Sequence, residues 1–145
     1  MSLSNMKHTK QIILLFILSL VIVGCGAMTA QGLRDNPSGE HTFRVARNYQ
    51  SAYRIALQKA RRENSGGMDV DGNLYTDIHM GTITITSPVN PMVGSLGIYM
   101  VIDINKITEG RSRITAYSKS FNWRKYPKKV EKWFDPNEVL GLYVK

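Results

Sequence analysis

Residues 98–105 read Ile98-Tyr99-Met100-Val101-Ile102-Asp103-Ile104-Asn105, and residues 82–86 read Thr82-Ile83-Thr84-Ile85-Thr86. Both alternate with period two, the signature of a strand with one face on a core. Ile98, Met100, Ile102 and Ile104 share the apolar face with Ile83 and Ile85. Tyr99, Val101, Asp103 and Asn105 share the other, which puts Asp103 on the solvent side. Glu109-Gly110 reads as a hairpin tip, because Arg111 to Lys119 alternates again, with Ile114 and Ala116 facing the core. Two further strands are expected upstream. Thr42-Phe43-Arg44-Val45 alternates, and Leu74 to Met80 reads as a strand that Gly81 bends.

Two helices flank this pattern. Tyr49, Ala52, Tyr53, Ala56, Leu57 and Ala60 recur at helical spacing, with Asn48 as N-cap and Asn64-Ser65-Gly66-Gly67 as terminator. Arg54, Lys59, Arg61 and Arg62 fall off that stripe. Trp123, Tyr126, Val130, Trp133 and Phe134 mark a second helix, which Pro127 opens and Asp135-Pro136 stops. Val139 to Val144 could add a final strand. An α+β fold follows: an antiparallel sheet of three to five strands with two helices packed on one face.

The chain has 145 residues, with 43% hydrophobic and 21% charged, which fits one globular domain and excludes a wholly disordered chain. Nineteen Lys plus Arg stand against 11 Asp plus Glu, for a formal charge of +8. The one cysteine excludes an intrachain disulfide framework and a Cys-based zinc site.

That cysteine closes an export signal. Lys7 and Lys10 precede an apolar run from Ile12 to Val23, too short to span a bilayer as a helix. Met6, just before Lys7, is an alternative start. Ile22-Val23-Gly24-Cys25 resembles the bacterial lipobox. The resemblance implies cleavage between Gly24 and Cys25 and acylation of Cys25, so that residues 1–24 are the leader. Residue 26 is Gly and not Asp, which by resemblance to enteric lipoproteins implies the periplasmic face of the outer membrane over the inner. Residues 25–41 lack periodicity and read as the lipidated cysteine and a flexible tether, averaging about 20–25 Å end to end. The domain is then 42–145. Its element order is similar in outline to helix-grip domains of small outer-membrane lipoproteins, the BamC family of the β-barrel assembly machinery among them. No functional residue is carried over from that likeness.

No nucleophile elbow is present, and His41 and His79 are the only histidines after the leader. A cell-envelope hydrolase would need Asp77, His79 and Asp103 in one cleft. Asp69-Val70-Asp71-Gly72-Asn73 lacks calcium-loop spacing and reads as a turn, so no metal and no cofactor beyond the covalent lipid is expected. Gly94-Ser95-Leu96-Gly97 lacks the context of a nucleic-acid clamp, and export argues against nucleic acid. Two surfaces remain. The basic segment from Arg111 carries Arg124, Lys125, Lys128, Lys129 and Lys132 among aromatic residues, a candidate contact for a membrane surface or other polyanion. Met92, Val93 and Leu96 form an apolar loop, a candidate partner contact. The expected function is a non-enzymatic, membrane-tethered module that binds an envelope partner or supports an assembly. A polyanion binder is the alternative, and a hydrolase a distant third.

Overall fold

The computed structural model describes residues 29–87, 97–119 and 124–136. The order along the chain is α1 (Ala30–Asp35), β1 (Gly39–Val45), α2 (Tyr49–Glu63), β2 (Asp69–Tyr75), β3 (Met80–Thr86), β4 (Ile98–Thr108), β5 (Arg111–Ser118) and α3 (Tyr126–Lys132). The five strands form one antiparallel sheet in the order β1-β5-β4-β3-β2. Strands β2 to β5 are a meander, and β1 joins it beside the last member. Helix α2 must therefore run from one edge strand to the other, and it crosses the sheet diagonally. This is the α+β architecture the alternation predicts.

The apolar face is built in rows. Ile83, Ile102 and Ala116 are register neighbours, as are Ile104, Ile114 and Phe43. All six are buried, and each isoleucine contributes about 1.5–3 kcal/mol by leaving water. Ala52, Ala56 and Ala60 form the spine of α2 against them, each with no exposed surface. Asn48 caps α2 by accepting the Ser51 N–H at 2.7 Å, and the Asn64 side chain donates to the Ala60 carbonyl at 2.8 Å. Lys59, placed off the stripe by spacing, is buried (4% exposed). Its long apolar stem lets it pack where a short charged side chain could not.

Three expectations need correction. First, residues 25–41 are not all tether: Thr29 caps a helix over Ala30–Asp35, and β1 begins at Gly39 rather than Thr42. A six-residue helix shows no periodicity that a sequence could reveal. Second, Asp69 to Tyr75 is a strand, not a turn followed by a strand at Leu74. Residues 76–79 are the turn, with His79 at φ 54°. Gly72 is there because the Tyr53 hydroxyl and Leu57 lie where its Cβ would be, at 2.6 and 2.8 Å. Gly81 is straight strand, and its missing side chain makes room for the Tyr53 ring. Third, α1 packs on the sheet's other face, against β4 and β5, so a third helix covers part of the side expected to face water. Leu33 is 2% exposed beneath it. The strand expected over Val139–Val144 and residue Trp123 lie outside the described residues.

A Cβ on Gly81 would meet Tyr53 Cδ2 at 2.6 Å. Gly81→Ala is expected to lower stability by about 1–3 kcal/mol in urea unfolding. In a Tyr53→Ala background the same change costs much less, which a double-mutant cycle reads as strong coupling between the two positions.

Candidate functional site

Helix α3 is laid along β1 by specific contacts. Pro127, Val130 and Trp133 are buried, and the Trp133 indole donates to Glu63 Oε1 at 2.8 Å. His41 Nε2 lies 2.8 Å from Glu131 Oε2. The His41 ring stacks on Phe43 at 5.6 Å, and Phe43 meets Phe134 at 5.8 Å. His41 is thus no tether residue. It is the strand side of an α3–β1 link. With one face of α3 buried, Lys128, Lys129 and Lys132 project outward.

Between α3 and the end of β1 opens a groove of about 890 Å³. Phe43, Val45 and Phe134 supply its apolar part. Arg44 and Arg47 line one side, and Lys128, Lys129 and Lys132 the other. Glu131 and Asp135 are the acids present. Glu131 is engaged by His41. Lys129 Nζ sits 4.4 Å over the Tyr126 ring. Among the described residues no ion pair uses Arg44, Arg47, Lys128 or Lys132. Such a site favours an anionic ligand with an apolar portion.

The basic segment read from the sequence is only partly gathered here. Lys128, Lys129 and Lys132 line the groove. Arg124 and Lys125 do not; they precede α3 and are exposed, with the Arg124 backbone near Gly39 at the far end of β1. Arg44 and Arg47 were not singled out by sequence, because nothing local shows that β1 is an edge strand beside α3. Gly24, Cys25, Met92, Val93 and Leu96 lie outside the described residues.

A second polar cluster sits on the opposite face. Arg34 Nε donates to Asp103 Oδ2 at 2.7 Å and Nη2 to Oδ1 at 2.8 Å, a bidentate pair. The Thr82 hydroxyl donates to Oδ1 at 3.0 Å. Hydrogen bonding to Asp103 raises the Arg34 guanidinium above its ordinary range, and partial burial works against this. Burial raises the nearby Tyr117 phenol, with the Asp103 charge adding to it. Asp103 is 5% exposed, so the solvent-facing placement read from alternation is wrong. The alternation was correct, but α1 covers that stretch of the face.

Asp77, His79 and Asp103 are not brought together in the groove, which none of them lines. Asp77 and His79 belong to the β2–β3 turn, where the His79 ring packs edge-on to Tyr49 at 5.8 Å. Both Asp103 oxygens are occupied. Among the described residues no group of three or more His, Cys, Asp or Glu could hold a metal ion. Fold and groove together define a small α+β domain with a cationic, apolar-floored cleft at one sheet edge. No family model and no curated protein matches the chain.

Removing Arg34 strands a buried carboxylate. Arg34→Ala should destabilise the domain by about 3–5 kcal/mol in thermal or urea unfolding. Arg34→Lys should recover only part of that, lacking the planar fork. Replacing both residues, as Arg34→Leu with Asp103→Leu, should be far milder than either single loss.

Proposed function

We propose that the protein is a non-enzymatic lipoprotein of the bacterial envelope, anchored through acylated Cys25, whose domain holds an acidic segment of an envelope protein in the groove between β1 and α3. The observation that carries the binding reading is the gathering of Arg47, Lys128 and Lys132 around an apolar floor with Arg44 on its β1 rim, none of them ion-paired among the described residues. Separated like charges cost stability, and an acidic ligand offsets that cost. The floor suits aliphatic or aromatic side chains, which an acidic polypeptide supplies and a simple polyanion lacks.

The anchor reading rests on Ile22-Val23-Gly24-Cys25 after the apolar run. With Gly26 after the cysteine it favours the periplasmic face of the outer membrane. Helix α1 shortens the leash. Cys25 lies four residues before Thr29, a span of at most about 14 Å. The domain would sit against its membrane, and partners would have to come to it.

Two measurements test the parts separately. Intact-mass analysis of chain purified from a bacterial membrane is expected to give an N-terminal, acylated Cys25; an unmodified sulfur or a retained leader refutes the anchor. A photo-crosslinker at Arg47 or Lys132 in cells should give the same discrete protein adduct, which Lys128→Glu weakens. A crosslinker at Arg61, exposed on α2, should not give it. An adduct formed equally from Arg61, or indifferent to charge reversal, refutes the groove. Salt-steep binding to anionic polysaccharide without any protein adduct would mark a polyanion binder instead.

A further inference from the structure

We infer that the end of the sheet formed by the β2–β3 turn and the β4–β5 hairpin rests on an anionic lipid surface, with Ile78 and Ile107 entering the headgroup layer and a collar of arginines meeting lipid phosphates. The large exposed apolar residues among those described are Ile78 (62% exposed), Tyr75 (45%), Ile107 (40%) and Leu74 (38%). They are not scattered over the surface. Leu74, Tyr75 and Ile78 lie in or beside one turn, and Ile107 precedes the neighbouring one. The two tips are adjacent, since the Lys106 N–H donates to the His79 carbonyl at 3.1 Å. Register breaks between Lys106 and Thr108, so Ile107 sits in a bulge, a device that re-aims a side chain.

The charge at this end has the sign a membrane wants. One row across the sheet runs Tyr75, Met80, Asn105, Arg113 and Arg44. Arg111 pairs with Thr108 one step nearer the tip. The acids there are Asp77 and Glu109, and Lys106 binds Glu109 and lowers its carboxyl below the usual range. Apolar tips, an interfacial tyrosine and an arginine collar are the parts of a peripheral lipid contact. The arginines stand to one side of the apolar tips, on β5 and β1, where phosphates beside an inserted side chain would meet them. The inference leans on the anchored reading only for the nearness of a bilayer.

The test uses the full chain in vesicles of phosphatidylethanolamine and phosphatidylglycerol that carry a headgroup-depth quencher. A fluorophore goes on Ile78→Cys or, as control at the opposite end of α2, on Arg62→Cys. Each is made both in the acylated protein and in a Cys25→Ser chain. Quenching at position 78 well above that at 62 is expected, with loss of the difference in Ile107→Asp. In the Cys25→Ser chain, Arg111→Gln or Arg113→Gln should each weaken vesicle binding about fivefold. Equal quenching at 78 and 62 overturns the inference even if Cys25 proves acylated. Preferential quenching at 78 in the Cys25→Ser chain upholds it even if the anchor reading fails. Positions 62, 78, 107, 111 and 113 are exposed, so substitution there should leave folding intact, which circular dichroism checks.

Discussion

The close approach of α2 to the sheet is the contact on which the rest depends. The helix joins strands at opposite edges, so it has to cross every strand between them. Ala52, Ala56 and Ala60 let its backbone come near the isoleucine rows, and Tyr53 then has nowhere to go except the space left by Gly72 and Gly81. That one ring couples the helix to two strands. It explains two glycines that conformational freedom does not, since neither has a positive φ. With α2 fixed this way, the remaining apolar surface beside β1 is left to α3. Val130 and Trp133 complete the same core.

Covering the second face is a different kind of problem, and the chain solves it with charge. Asp103 stands in the middle of the central strand, in a row of polar side chains that includes Thr82, Thr115 and Thr42. Left to water, that row would need nothing. Once Leu33 brings α1 down onto β4 and β5, Asp103 is desolvated and must be paired. Arg34 on the same short helix does it with both ends of its fork. A helix of six residues has little stability of its own. Its place is held by the thing it buries. Backbone bonding continues the attachment, as the Ser38 N–H donates to the Ser118 carbonyl at 2.8 Å. Residues 29–38 are therefore part of the fold.

Sequence periodicity carried the core well and the edges poorly, for a physical reason. Strands β3, β4 and β5 and helix α2 are long and half-buried, so their apolar residues repeat at the period of the backbone. Strand β2 is an edge: Asp69, Asp71 and Asn73 are exposed, and Gly72 stands where an apolar residue would complete the alternation. Its composition is that of a turn, and only its pairing with β3 makes it a strand. Residues 29–41 failed similarly, because α1 is too short for a stripe and β1 begins in Gly39-Glu40-His41. The groove was half legible. Lysines on α3 stand out in a basic run, while Arg44 and Arg47 look ordinary until β1 is known to lie beside that helix. Asp103 was read on the correct face with the wrong surroundings, because periodicity reports which side a residue points to and not what covers it.

Groove and sheet end share a wall, and this bears on how the molecule is oriented. Arg44 lines the groove and also ends the row that runs to Tyr75. Arg47 follows at the start of α2, where the Ser112 hydroxyl holds its carbonyl at 2.7 Å. The opposite edge strand carries Asp69 and Asp71. The sheet is thus electrically polarised across its strands, basic on the β1 side and acidic on the β2 side. Such a field turns a small body near an anionic surface before any contact forms. Unpaired backbone on β2 is then kept from other strands by its own carboxylates. The α3 wall of the groove is held by the buried Pro127 and Val130, by Trp133 on Glu63 and by Glu131 on His41.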